Sequence, residues 1–518
     1  MKITSVSITN FRSYKDEIKV GLNDLNVFVG KNDIGKSTLL EALDVFFNNG
    51  SGVIKLDKDD INKEALSEDD KEIVIAVTFS ELPTTLVLDA THETNFEDEY
   101  LLNSNSELEV IKKFPNAGKP KWFLKANLPT HVNCNGLLNK TNAQLKSILS
   151  SEGIECANQS INSVIRKDIC NHFQNVLNLE EQELDLSKGE GKTIPIALEK
   201  YFPLYTLFQS DRKNSDGDSE VQDPMQLAVK EIFNDPVIQA TLATVAQTVE
   251  AKLNDVSAKT LEKLREMNPE IADSLTPVIP PLESLKWKDV FKSVSISGDN
   301  GIPINKRGSG VKRLVLLNFF RAEAERRKRD SSLTSIIYAI EEPETSQHTN
   351  HQIKLIQAFK ELSESADTQL LLTTHSPAVV KQLEFDNLKL ISLVDGVKKV
   401  AQVEVDQLPY PSLNEVNYTA FDEITEEYHN ELYEYLKSIH GDDVGIKQFD
   451  NRFFVDQYSE DKIHPWKNYP NEVSIHTFIR NQIHHRSENG EPSYDSLKYS
   501  ISKMRELIII SITELEEV

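Results

Sequence analysis

Gly30-Lys31-Asn32-Asp33-Ile34-Gly35-Lys36-Ser37 sets two glycines ahead of a Lys-Ser pair at the spacing of a phosphate-binding loop. Around it, residues 25–29 (LNVFV) read as an apolar strand leading in, and residues 38–47 (TLLEALDVFF) as a helix leading out. That setting matters more than the pattern. Glycine at 30 and 35 lets the backbone curl until its N–H groups face one point, where the helix N-terminus also favours an anion. Lys36 is then placed to reach the β- and γ-phosphates of a nucleotide, and the Ser37 hydroxyl to hold Mg²⁺. Asn32 and Thr38 complete the candidate contacts of this loop. The expected ligands are ATP and Mg²⁺.

The chain has 518 residues, enough for about three domains and a sizeable core. Hydrophobic residues make up 39% and charged residues 27%, the balance of a globular protein in water. The cysteines, Cys134, Cys156 and Cys170, are too few for a disulfide framework, and no CxxC pair suggests zinc. They read as reduced thiols, with Cys134 and Cys156 expected on surface segments. No signal peptide precedes the first strand, and no apolar run approaches the roughly eighteen residues of a membrane span. A cytoplasmic protein without membrane contact is expected. Against 57 basic residues stand 82 acidic ones, for a net charge of −25, which opposes adhesion to nucleic acid over the whole surface. One basic cluster, Arg321 with Arg326-Arg327-Lys328-Arg329, suits either a helix C-terminus or a local partner patch.

Strand-like runs at 3–8, 17–20, 25–29 and 72–79 surround the loop and its helix, so residues 1–80 read as the first lobe of an α/β domain. Residues 81–202 read as an inserted α+β subdomain. In it, 107–114 and 121–128 form a strand pair, 139–180 is a helical stretch, and a glycine loop spans 188–192. Residues 203–222 return as an apolar strand ending at Gln209, then an acidic loop. Helical periodicity without glycine marks 223–289 as a short arm, broken at Pro236 and closed by prolines 277, 280 and 281. Residues 290–400 form the second lobe, and 401–518 a mostly helical C-terminal region.

The second lobe carries three further motifs. A strand at 335–340 (SIIYAI) ends in Glu341-Glu342-Pro343-Glu344, the Walker B arrangement. There Glu341 holds a Mg²⁺-bound water and Glu342 polarises the attacking water. Glu at 341 departs from the commoner Asp but keeps the chemistry. A second strand, 369–373 (QLLLT), runs into Thr374-His375-Ser376-Pro377, placing the His375 imidazole at a strand end to sense a γ-phosphate. Between the loop and these strands, Gly308-Ser309-Gly310 opens an apolar helix (LVLLNFF), a second anion site by the same logic. Two such sites meet on one phosphate when two chains face each other head to tail.

This order of motifs resembles ABC-type ATPases of the SMC, RecF and OLD group, and the opening "ITNFRSY" strengthens the likeness. The resemblance covers about 1–80, 203–212 and 290–395. It implies an α/β ABC-type P-loop ATPase head in which Gly308, Ser309 and Gly310 complete another subunit's site. It further implies that Arg12 contacts the nucleotide and Gln209 the Mg²⁺. The short arm departs from SMC proteins. The OLD nucleases carry a C-terminal TOPRIM domain, but here Leu393-Val394-Asp395-Gly396 only faintly echoes its first motif and no Asp-x-Asp follows. What remains resembles stand-alone ATPases of bacterial antiphage systems, such as the PtuA type of Septu- and retron-linked systems. The likeness implies a homo-oligomer controlling a separately encoded effector such as an HNH nuclease.

Near the C-terminus, residues 423–439 form an amphipathic helix whose Tyr428, Tyr433 and Tyr435 read as core and interface. Arg480 and His485 match the Arg-x4-His pattern of HEPN ribonucleases, and equally suit a structural helix end. Two functions therefore stand. In the first, the protein is an ATP-gated sensor and scaffold for an effector. In the second, it is a nucleic-acid enzyme itself, through Arg480 and His485 or a RecF-like repair role, with nucleic acid as substrate rather than trigger.

Overall fold

Residues 72–80 alternate apolar side chains along a strand with neighbours on both edges, so both rows of its backbone polar groups must find partners. The computed structural model describes residues 1–89, 92–209, 335–345, 349–365, 367–394, 396–403, 412–462, 464–466 and 469–516, with Leu408 and short parts of 232–251. The chain divides into two units. The first comprises Met1–Leu25, Ser37–His348 and Gln357–Leu372, and the second Asn26–Lys36, Thr349–Ile356 and Thr373–Val518.

In the first unit β1 (Lys2–Thr9), β2 (Ile18–Gly21) and β4 (Glu72–Ser80) lie in an antiparallel sheet of order β2-β1-β4-β7-β8-β9. Its other members are β7 (Leu108–Pro115), β8 (Lys121–Pro129) and β9 (Leu179–Asp185). The segment 81–202 thus extends the sheet begun by residues 1–80, with Phe79 opposite Leu108 and Glu72 opposite Pro115. A short hairpin, β5 (Leu86–Asp89) and β6 (His92–Thr94), precedes it. The expected helical stretch at 139–180 resolves into α3 (Asn142–Glu152) and α4 (Asn162–His172), then yields to β9. Thr141 and Gln144 cap α3 reciprocally, and left-handed Gly153 ends it.

The pair α3–α4 closes over Cys134 and Cys170, which pack with Leu145, Leu149, Ile165 and Ile169. Cys134 is only 2% exposed, contrary to the surface position expected from its polar neighbours, while Cys156 is half-buried. The turn that bonds the Cys134 N–H to the His131 carbonyl folds the thiol under the helices. Burial pushes the Cys170 thiol up to about 12 and raises Cys134 as well, so neither is a reactive thiolate.

β7 turns Lys112 towards α1 (Lys36–Phe47), the helix after the glycine loop. Its Nζ donates to the Phe46 carbonyl at 2.6 Å and to Asn49 Oδ1 at 2.7 Å, and lies 3.7 Å from the Trp122 ring centre. A lysine thus satisfies a last-turn carbonyl of the helix that begins at Lys36. Complete burial pushes the Lys112 ammonium down to about 7, with Glu199 opposing. Between about pH 7 and 10.5 the folded chain holds fewer protons here than the unfolded one, so this group makes stability rise with pH across that window. The rise is at most ~1.4 kcal/mol per pH unit. Thermal melts of Lys112→Met at pH 7 and pH 10 should lose that increment, and an unchanged slope would refute it.

β10 (Leu204–Phe208) pairs in parallel with β11 (Ile336–Glu341), Phe208 lying opposite Ile340. The first unit has the strand order β10-β11-β12, with β12 (Thr368–Thr373), and the second has the order β3-β13-β14, with β3 (Leu25–Val29), β13 (Leu388–Val394) and β14 (Val397–Gln402). Every residue of β3, β11 and β12 is buried, as expected of central strands covered on both faces. In the second unit β13 runs parallel to β3 and antiparallel to β14.

Shorter helices fill out the first unit, α2 (Lys63–Ser67) and α5 (Ile194–Glu199). Beyond α6 (Thr349–Ser363) and α7 (Pro377–Val380), the second unit is mostly helical. It contains α8 (Leu413–Phe421), α9 (Glu426–His440), α10 (Ile446–Asp450) with a π-turn over Asn451–Gln457, α11 (Ile475–His484), α12 (Arg486–Asn489) and α13 (Tyr494–Glu516). A small hairpin, β15 (His464–Trp466) and β16 (Tyr469–Val473), precedes α11. Tyr428 and Tyr433 lie in its core with Phe449, Phe453 and Phe454, and Tyr435 packs at the margin. The arm at 223–289 lies almost wholly outside the described residues. So do Gly308, Ser309, Gly310, the basic cluster at 321–329 and Asp395.

Candidate nucleotide-binding site

The end of β3 releases the chain into a loop whose Gly30, Asp33 and Gly35 have φ of 150°, 60° and 110°. A Cβ at position 30 would sit 2.6 Å from the Ile391 carbonyl oxygen, so only glycine lets the loop leave the sheet against β13. Lys36 Nζ folds back to donate to the Gly30 carbonyl at 2.8 Å and the Lys31 carbonyl at 2.9 Å. The loop thus closes round its own lysine, which is 6% exposed. Asn32 stands exposed on the rim.

In the same unit the Thr374 N–H donates to the Phe28 carbonyl at 3.1 Å, bringing the end of β12 beside the strand that feeds Gly30. His375 follows at an exposed position, and Ser376 caps α7 through the Val379 N–H. A short ordered turn thus presents the imidazole.

In the first unit Ser37 is half-buried and Thr38 buried at the start of α1. Glu341 is the last residue of β11 and is buried. Glu342 turns the chain with φ of 41°, its carbonyl accepting from the Thr345 N–H at 3.1 Å. A left-handed non-glycine residue costs on the order of 1 kcal/mol, and such strain clusters at functional turns.

Gln209 follows β10, level with Glu341 in the parallel register, and its Nε2 donates to Glu41 Oε1 at 3.2 Å. Arg12 reaches the same carboxylate through Nη1 to Glu41 Oε2 and bonds Asp60 Oδ1 through Nε at 2.8 Å. The structure therefore brings Arg12 and Gln209 together on Glu41, a residue the sequence reading passed over. Its signal was a carboxylate set among the leucines of this helix, one turn after Ser37. Nearby, Tyr205 donates to the Leu40 carbonyl at 2.5 Å. Burial raises its pKa well above the usual phenol range, helped by Asp44, Glu341 and Glu41.

In the C-terminal helices, Arg480 Nη2 lies 3.7 Å from Glu434 Oε1 on α9, and His485 ends α11. The buried polar feature there is different. Ser500 Oγ lies 2.9 Å from His429 Nε2 and 2.7 Å from His476 Nδ1, all three fully buried. Burial pushes His429 down to about 3, so it is a neutral packing group.

The loop fits a nucleoside triphosphate by its own geometry. It combines left-handed glycines, a buried ammonium that donates to two loop carbonyls, and a helix of twelve residues opening at Lys36. Among the described residues no helix is long and apolar enough to cross a membrane, and no cluster of three or more His, Cys, Asp or Glu is arranged for a metal.

The fold and this loop are those of a P-loop ATPase, and the chain belongs to the AAA ATPase domain family, whose model matches residues 1–380. Among curated proteins, it is 23% identical over 406 residues to endonuclease GajA of Bacillus cereus (strain VD045), covering 77% of this chain and 59% of GajA. It is 26% identical over 137 residues to an ATP/GTP phosphatase of Helicobacter pylori (strain ATCC 700392 / 26695), covering 25% of this chain and 37% of that protein. The chain thus spans less than two thirds of these relatives' lengths. Among solved structures, an SMC head bound to the C-terminal winged-helix domain of ScpA is 16% identical, covering 78% of this chain and 99% of the other at a TM-score of 0.36.

Proposed function

We propose that this protein is a cytoplasmic ATP-binding and ATP-hydrolysing sensor that assembles through composite nucleotide sites and controls a separately encoded effector in antiphage defence. The observation that carries the reading is the glycine loop closed round Lys36 at the head of α1. Lys36 exchanges its two carbonyl partners for phosphate oxygens. The first N–H groups of α1 face the same anion. Ser37, Glu341 and Gln209 are the residues to hold Mg²⁺, which when bound offsets phosphate charge. Glu342 orients and deprotonates water, and His375 donates to the terminal phosphate. Gly308, Ser309 and Gly310 of a second copy close the site.

The likeness of the motif order to antiphage ATPases supports a defence role, and GajA's endonuclease activity remains that protein's own. The C-terminal residues 381–518 lie beyond the ATPase family match, and a nuclease of the HNH type is the expected kind of partner. Nucleic acid enters as the trigger.

Glu342→Gln tests the composite site. Its ATP should persist unhydrolysed, and a larger assembly should appear on size-exclusion chromatography when ATP is added. Identical profiles with and without ATP would overturn assembly through the nucleotide.

A further inference from the structure

On α1, Glu41 sits four residues after Ser37 and so shares its face, about 6 Å further along the axis. Its neighbours Leu39, Leu40, Ala42 and Leu43 are buried, and Glu41 itself is 8% exposed. A carboxylate in such a place must be paired. Its two oxygens are divided between residues distant in the chain: Oε2 meets Arg12 Nη1 and Oε1 accepts from Gln209 Nε2. Arg12 is held a second time, its Nε donating to Asp60 Oδ1 and its backbone N–H to the Asp60 carbonyl at 2.7 Å. Asp60 is itself fixed, capping the turn at Lys58–Asp60 through the Asp57 N–H. Both donors converging on Glu41 are residues assigned above to the nucleotide and its metal.

We infer that Glu41 is a positioning residue, a buried carboxylate that holds the Arg12 guanidinium and the Gln209 amide in register with Ser37. This rests on the ATP reading of the loop. Glu41 touches neither phosphate nor metal in this scheme. It acts by restricting two long side chains that would otherwise lose rotamer freedom only when ligand binds. Glutamine at 41 is nearly isosteric but offers one acceptor oxygen where two donors arrive, so its NH₂ must face either Arg12 or Gln209.

Titration of the full chain with ATP by calorimetry, at several Mg²⁺ concentrations, tests this. Glu41→Gln should bind ATP roughly tenfold more weakly, the loss of about one charge-assisted hydrogen bond. It should also need more Mg²⁺ for half-maximal binding. Asp60→Asn, which loosens Arg12 alone, should weaken ATP binding and leave the Mg²⁺ midpoint where it was. Glu41→Gln combined with Gln209→Ala should shift that midpoint no further than Gln209→Ala does, because both remove one contact.

Wild-type ATP affinity and Mg²⁺ midpoint in Glu41→Gln would overturn the inference, as would additive shifts in the double variant. Should Glu41→Gln fail to fold, Glu41→Asp keeps the charge and shortens the reach, and the same displaced midpoint is expected of it. Failure of the unaltered chain to bind ATP would instead overturn the nucleotide reading itself.

Discussion

Lys36→Met should lower ATP affinity by about a hundredfold or more, measured by calorimetry on the full chain. The methionine keeps most of the stem but carries no charge and no donor. Two charge-assisted hydrogen bonds to phosphate, at about 1.5–3 kcal/mol each, are lost, and roughly 3 kcal/mol is already more than a hundredfold. In the ligand-free fold the same Nζ holds the Gly30 and Lys31 carbonyls, so the variant also loosens the loop before ligand arrives. An affinity within threefold of the parent would mean that nucleotide binds elsewhere.

Arg166→Met should cost about 3–5 kcal/mol of stability, the usual penalty for leaving one partner of a buried ion pair alone. Arg166 and Glu99 have side chains 3% and 2% exposed, joined by Nε and Nη2 donating to the two carboxylate oxygens at 2.8 and 2.9 Å. The pair joins α4 to the turn after β6, where Thr94 Oγ1 also reaches Glu99 at 3.1 Å. Thermal melts should show the loss, and Glu99→Leu added to Arg166→Met should recover most of it, since no charge is then stranded. The adjacent exposed pair, Lys167 with Asp98, is the control, and its removal should cost under about 1 kcal/mol. A single-variant loss as small as the control's would show that water reaches the pair.

The parts of the site legible in sequence were those whose chemistry is local. A glycine loop needs positive φ at fixed offsets, and Gly30 and Gly35 adopt it. The apolar runs ending at Glu341 and Thr373 are buried strands, with His375 in the exposed turn that follows. By contrast β9, with the sequence LEEQELD, gave no strand signal, because an exposed edge strand carries no apolar alternation. Cys134 read as surface from its polar neighbours, yet two helices arriving later in the chain cover it.

The sequence by itself determined that this chain turns a glycine loop into a helix behind an apolar strand, with Lys36 and Ser37 at the head of that helix. Those are properties of neighbouring residues and their dihedral angles. Only the tertiary structure decided which distant side chains share a carboxylate, for Arg12 and Gln209 lie 29 and 168 positions from Glu41. It also decided that the inserted strands extend the first sheet and that Lys112 closes the far end of the helix that Lys36 begins. The physical reason is burial. A charge or a backbone carbonyl removed from water must find its partner wherever the chain brings one, and sequence distance does not enter that requirement.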